Sequence, residues 1–298
     1  MKLLPRDHYL WLALPVFLVI VAEMLIFAGQ MKAAMIVHAF NVVLLVSISL
    51  YNENKVFAIL MLLPLFRLLN AAMPVFFNLT LYSYPLVYAP MFFPIYLIMK
   101  DGILSRSEAG ITFKGFLFYL PLAIGLGFAL GWGEYNVLHP GMLLPVLDLK
   151  SIMILCMTMI FFVGVVEEFV FRSALQTVLE ARLGPIAGLL ATSLIFGIMH
   201  SGYRMPQEIA YVCFAGLVFG LLFWLTRSLP ILSIAHGFTN ISLFLVTPLD
   251  QSMVIYFIGV LGLIFVLSAA ICKRKPDSCG VNDGSDGGSE SVSQGGKA

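Results

Sequence analysis

Charged residues are scarce in this sequence. Asp, Glu, Lys and Arg together make up 11% of its 298 residues, whereas 60% of the residues are hydrophobic. A soluble domain carries roughly 25% charged residues, so the composition excludes an ordinary soluble globular domain. The apolar residues form long continuous runs, not the short alternating segments of a transmembrane β-barrel. The expected fold class is therefore all-α, a polytopic transmembrane helical bundle.

Residue types that commonly bind metals or nucleic acids are also few. The chain has 4 cysteines without metal-ligand spacing and 5 histidines, and the zinc signature His-Glu-x-x-His is absent. The formal net charge is +1, and no cluster of basic residues indicates a nucleic-acid partner. Membrane lipid is the partner that this composition predicts.

The apolar runs predict about ten membrane spans. They cover residues 9–28, 34–51, 56–77, 81–99, 115–131, 152–179, 185–200, 209–226, 230–246 and 253–272. Lys and Arg are more frequent in the loops on the side of the two termini, so the positive-inside rule places both termini in the cytoplasm. Glu23 lies towards the end of the first run, and we expect it to reach the membrane interface.

Three segments of different character follow from this pattern. Residues 1–150 form N-terminal membrane spans without an assignable motif. Residues 151–272 are predicted to form a catalytic membrane core, on the basis of the residues discussed below. Residues 273–298 are rich in Gly, Ser and Asp and are predicted to be a disordered cytoplasmic tail.

The run 152–179 contains two adjacent carboxylates and an arginine, Glu167, Glu168 and Arg172. Each charge at such a depth costs about 3 kcal/mol or more, so these residues usually face a bundle interior or a wet cavity. Glu168 and Arg172 are four residues apart and share a helix face, where they can neutralise one another. Glu167 has no such partner on its own helix and is therefore suited to take up and return a proton. A purely structural ion-pair cluster is the alternative interpretation.

Two of the histidines lie in later apolar runs. His200 follows Phe196 by four residues, so the aromatic ring can pack beside the imidazole. His236 and Asn240 also share a face at four-residue spacing, and two such side chains can converge on one oxyanion. Polar residues on separate membrane helices tend to meet in the bundle interior.

This set of residues predicts peptide hydrolysis by an activated water. Glu167 and His200 would hold and deprotonate the water, while His236 and Asn240 would stabilise the oxyanion. No cofactor is expected for this mechanism. A zinc site formed by Glu167, His200 and His236 is the other mechanistic option. Covalent catalysis is less attractive, because neither Ser173 nor Cys213 has a base at helical spacing.

The three motifs together resemble those of a known family. Glu-Glu-x-x-x-Arg, Phe-x-x-x-His and His-x-x-x-Asn, in this order on separate spans, are typical of the CAAX prenyl protease and bacteriocin-processing (CPBP or Abi) family. The resemblance covers about residues 152–246, and no motif position is missing. It implies an intramembrane endopeptidase in which Glu167, His200, His236 and Asn240 are catalytic. Glu168, Arg172 and Phe196 would then have supporting roles.

The resemblance also sets the expected partners and location. The eukaryotic branch of the family removes the last three residues of prenylated CAAX proteins, so a peptide or protein substrate, prenylated ones included, is expected. The protein would lie in the cell membrane of a prokaryote or in the endoplasmic reticulum of a eukaryote. The alternatives left open are a zinc-dependent protease, a proton-coupled transporter and a non-catalytic immunity or binding protein.

Overall fold

The computed structural model describes residues 8–51, 55–76 and 80–274. All regular secondary structure in these ranges is helical, which confirms the all-α class. The predicted tail lies outside the described residues from position 275 onward. The location of both termini in the cytoplasm stays a prediction.

The helices are numbered here in chain order. They are α1 His8–Phe27, α2 Met31–Tyr51, α3 Lys55–Leu60, α4 Leu62–Phe76, α5 Ser83–Tyr88, α6 Phe92–Lys100, α7 Phe116–Leu138, α8 Leu149–Leu183, α9 Pro185–Ile198, α10 Pro206–Thr226, α11 Leu229–Leu249 and α12 Gln251–Arg274. A 3₁₀ turn, Ala89–Met91, joins α5 to α6, and a second one, Ser201–Tyr203, follows α9.

Among the described residues, 7 helices are long and apolar enough to cross a membrane, and a shorter apolar helix covers Leu12–Phe27. The difference from ten spans arises mainly in two predicted runs that are broken into shorter helices. The run 56–77 is interrupted at Met61, three residues before Pro64, and the run 81–99 contains Pro85, Pro90 and Pro94. Proline lacks an amide hydrogen and its ring clashes with the preceding turn, so helices break or bend there.

Helix α11 lies at the centre of the bundle. In the most apolar 18-residue stretch of α11, 67% of the residues are buried within the protein. The corresponding share for α12 is 6%, so most side chains of α12 face outward. Helix α11 is packed against α7 on one side and against α8 on the other. The two helices that carry most of the predicted site residues, α8 and α11, are therefore direct neighbours.

Two glycines allow α8 and α11 to approach closely. A methyl group added at Gly164 of α8 would lie 2.5 Å from the carbonyl oxygen of Ser233, and one at Gly237 of α11 would lie 2.8 Å from the Cα atom of Ile160. Small residues at such contacts are the usual means by which membrane helices come together. This packing places the residues after Gly164 beside those around Gly237.

Helix α8 is unusual in its winding. It contains two π-helical segments, Thr158–Gly164 and Phe169–Gln176, on either side of a short α-helical stretch, Val165–Glu168. Wider π-type turns are often found at functional sites. Here they flank the two adjacent glutamates of the first motif.

Candidate functional site

The structure brings the predicted site residues of three helices together around one cavity of about 390 Å³. The four residues expected to be catalytic all line this cavity: Glu167, His200, His236 and Asn240. The three residues expected to support them, Glu168, Arg172 and Phe196, are buried behind its wall. The four residues and the three residues thus occupy different places, and their catalytic and supporting roles stay predictions.

Glu168 connects Arg172 to His236. Its Oε1 atom lies 3.1 Å from Arg172 Nη1 and 2.6 Å from His236 Nδ1. The ion pair expected from the four-residue spacing is therefore present, and both of its side chains are fully buried. A carboxylate that accepts from one ring nitrogen fixes the orientation of a histidine. His236 consequently meets the cavity with its other nitrogen, Nε2.

Aromatic rings enclose the buried guanidinium. The central carbon of Arg172 lies 4.1 Å from the ring centre of Phe196 and 5.3 Å from that of Phe219. Phe219 also stacks on His236, with a centroid distance of 5.2 Å and an interplanar angle of 4°. Sequence reasoning missed Phe219, because a phenylalanine within an apolar run looks the same whether it faces lipid or a site.

His200 is held by its own helix. Its Nδ1 lies 2.8 Å from the carbonyl oxygen of Phe196, and the Phe196 ring packs 4.9 Å from the imidazole, as the spacing predicts. A carbonyl oxygen can only accept, so Nδ1 carries the hydrogen. In the neutral ring, Nε2 is then the nitrogen with a free lone pair and can accept a proton or bind a water.

Glu167 receives a partner from a distant part of the chain. The hydroxyl of Tyr88, on α5, donates to Glu167 Oε1 over 2.6 Å. The other oxygen, Oε2, lies 3.7 Å from His236 Nε2. That distance is too long for a direct hydrogen bond, and Oε2 is buried without a hydrogen-bond partner among the described residues. No motif marks Tyr88, so this contact could not be predicted from the sequence.

The N-terminal half supplies much of the cavity wall. Residues of α4, α5 and α7 line the cavity together with the motif residues, among them Arg67, Asn70, Tyr84, Tyr88 and Glu134. The sequence analysis assigned no motif to residues 1–150. The structure nevertheless makes this half a part of the site.

Glu23 is the residue for which the sequence expectation is wrong. Instead of reaching the membrane interface, it is fully buried and forms a two-point ion pair with Arg67, at 2.6 Å from Nε and 2.7 Å from Nη2. A buried carboxylate is stabilised by such a partner. The partner could not be foreseen, because 44 residues separate the two positions.

The donor set expected for zinc does not fit a metal ion. Within residues 8–51, 55–76 and 80–274, no group of three or more His, Cys, Asp or Glu side chains has an arrangement that could hold one. In particular, Glu167, His200 and His236 line one cavity but do not form such a group, and His236 Nδ1 is already bonded to Glu168. We therefore derive no step through a metal.

Comparisons with known proteins point to one family. Residues 149–242 match the family model described as "Type II CAAX prenyl endopeptidase Rce1-like", and this range contains all seven motif residues. No curated protein and no solved structure matches the chain. The matched range contains Glu167, His200, His236 and Asn240, which line one cavity. Residues 149–242 of the chain are thus similar to the CAAX prenyl endopeptidase family.

Proposed function

We propose that the protein is an intramembrane endopeptidase that hydrolyses a peptide bond with a water activated by Glu167 and His200. His236 and Asn240 stabilise the oxyanion, and no metal takes part. The observation that carries this proposal is the placement of all four side chains on one cavity, with the two supporting charged residues sealed behind it.

The water is activated between Glu167 and His200. The Tyr88 bond occupies Glu167 Oε1, which leaves Oε2 for the water. As the water oxygen attacks the scissile carbonyl carbon, its proton moves to Glu167, and the carbonyl electron pair moves onto oxygen. His200 Nε2 has a free lone pair in the neutral ring and accepts a hydrogen bond from the same water, which orients it for attack.

The oxyanion forms next to the second motif pair. His236 and Asn240 are one turn apart on α11 and both line the cavity. With Nδ1 bonded to Glu168, His236 donates to the oxyanion from Nε2 when the ring is doubly protonated, and Asn240 donates from its amide. When the tetrahedral intermediate collapses, the C–N bond breaks and the proton on Glu167 passes to the leaving amine.

The substrates proposed are peptides attached to or embedded in the membrane, with CAAX-type prenylated peptides as the first class to test. The cavity volume of about 390 Å³ lies within the range of roughly 300–1,000 Å³ that is usual for ligand pockets. The family match supports the choice of a CAAX-type substrate.

The test is peptide cleavage by the purified protein in detergent. A fluorogenic farnesylated peptide and a set of transmembrane-segment peptides serve as substrates, and the metal content is measured on the same sample. We expect Glu167→Gln to lower kcat by about 100-fold or more, since positioned general bases contribute at least that much. Glu180→Gln is the matched control, because Glu180 lies on the same helix but does not line the cavity.

Three outcomes would change the proposal. Near-normal cleavage by Glu167→Gln would remove Glu167 from the role of base. Cleavage that rises and falls with bound zinc would keep the protease but replace the mechanism. If no peptide is cleaved and Glu167→Gln behaves like the wild type in cells, a transport or binding function gains support.

A further inference from the structure

The two residues on either side of His200 are held by the N-terminal half of the chain. Arg67, on α4, donates a hydrogen bond to the carbonyl oxygen of Met199. Ser201 donates from its hydroxyl to Glu23 Oε2, on α1. Glu23 and Arg67 are themselves joined by their ion pair, so one buried pair contacts the chain immediately before and immediately after His200.

A third contact also joins the N-terminal half to the turn that follows His200. Arg204 Nε, at the end of the turn after His200, donates to the carbonyl oxygen of Phe27 at the end of α1, over 3.2 Å. Arg204 has a positive φ of 57°, which turns the chain back before α10 begins. Helix α1 thus contacts this turn at two points, and the residues from Met199 to Arg204 are fixed from outside their own half.

We propose that Glu23 and Arg67 are positioning residues that set the backbone of His200 for catalysis, and that this is a function of the motif-free N-terminal half. Among the described residues, the ring of His200 is hydrogen-bonded to the preceding helix, Nδ1 to the carbonyl oxygen of Phe196, and it packs beside the rings of Phe196 and Tyr203. That bond moves with the helix end and cannot fix it in the cavity. The Glu23–Arg67 pair contacts Met199 and Ser201 from the N-terminal half and thereby fixes the position of this helix end. The proposal depends on the catalytic role proposed for His200.

Burial explains why an ion pair suits this task. Glu23 is fully buried, and the Arg67 side chain is 11% exposed, towards the cavity. Charge-assisted, two-point contacts are shorter and more directional than neutral ones. A small displacement of a reacting group can lower a rate by as much as about 100-fold, so a stiff contact at this position affects turnover more than substrate binding.

The experiment measures kcat and KM separately for four proteins: wild type, Ser201→Ala, Glu23→Gln and the double variant Glu23→Gln/Arg67→Met. We expect KM of the first two variants to stay within about twofold of the wild type while kcat falls, by about 10-fold or more for Glu23→Gln. Arg227→Ala is the control, because it breaks an exposed ion pair with Glu180 far from the cavity. It should leave both constants unchanged.

The double variant separates positioning from stability. It removes both charges, so neither is left buried without a partner, and folding should recover relative to Glu23→Gln. If the pair only stabilises the fold, kcat recovers as well. A folded double variant with the kcat of the wild type would therefore overturn the proposal, whereas a folded but slow one supports it.

A second measurement does not require activity and separates this inference from the proposed function. Hydrogen exchange of the backbone amides at residues 199–204 should accelerate at least several-fold in Glu23→Gln and not in Arg227→Ala. Unchanged exchange at these residues would refute the positioning role of Glu23 and Arg67, even if the protein is an active protease. If the wild type cleaves no peptide but exchange at residues 199–204 still accelerates in Glu23→Gln, the proposed function is refuted, whereas the fixing of this segment by Glu23 and Arg67 is supported.

Discussion

Replacement of Arg172 by alanine should destabilise the protein severely. The guanidinium is fully buried between Glu168, the carbonyl oxygen of Gly216 at 3.2 Å and the ring of Phe196. Removing one partner of a buried ion pair typically costs about 3–5 kcal/mol, and a desolvated cation–π contact adds on the order of 2 kcal/mol. His236 remains 2.6 Å from Glu168 and offsets a part of this loss. We expect the free energy of unfolding to fall by about 4 kcal/mol.

Denaturation by dodecyl sulfate in mixed micelles measures this change. Total stabilities are only about 5–15 kcal/mol, so the yield of folded Arg172→Ala should also fall. The control is Glu168→Gln/Arg172→Met, which removes both charges and should recover about 2 kcal/mol or more. A single variant within about 1 kcal/mol of the wild type would refute the reasoning. Normal stability with lost cleavage would instead make Arg172 part of the catalytic set.

Three further predictions concern Tyr88, Gly237 and Asp148. Tyr88→Phe removes the bond to Glu167 and should lower kcat about 10-fold or more in the cleavage assay, since bonds to charged groups contribute about 1.5–3 kcal/mol. Gly237→Val should push α11 away from Ile160 and lower both the thermal midpoint and kcat, because overpacking typically costs about 1–3 kcal/mol. The amide of Ser151 donates to the exposed Asp148 and lowers the pKa of that carboxyl. Its contribution is present at neutral pH and lost as the pH falls through this lowered pKa, so Asp148→Ala should lower the thermal midpoint at pH 7 and have little effect in acid below that value.

Each of these predictions has a matched comparison. Tyr82→Phe removes the hydroxyl of an exposed tyrosine that does not line the cavity, so its kcat should stay near that of the wild type. Gly259→Val changes a glycine of α12 with open space around it and should be tolerated. A pH-independent effect of Asp148→Ala would contradict this reasoning, in which the Asp148 carboxylate caps the start of α8 by accepting from the Ser151 amide.

Helical spacing predicted the contacts that lie within one motif. The Glu168–Arg172 pair and the packing of Phe196 on His200 follow from a four-residue interval and are both present. Contacts between distant segments could not be predicted in this way. The Tyr88–Glu167 bond joins positions 79 residues apart, and neither residue has a local feature that identifies the other.

For a related reason, the apolar runs predict the number of membrane spans only approximately. Hydropathy identifies segments that avoid water, but a helix buried within protein and one that crosses lipid have the same composition. The runs 56–77 and 81–99 therefore resembled spans, although their prolines break them into shorter helices. The same ambiguity affected Glu23, whose burial depends on an arginine from another helix.

The mixed origin of the cavity wall affects how fragments and chimaeras of this protein should be designed. A segment cut at the limits of the family match, 149–242, would keep every motif residue but lose Tyr88, which contacts Glu167, and Arg67 and Glu23, which contact the residues on either side of His200. Transplanting that segment into another membrane scaffold would transfer the motif residues without these contacts. The smallest unit worth expressing on its own therefore begins at α1, not at the first motif.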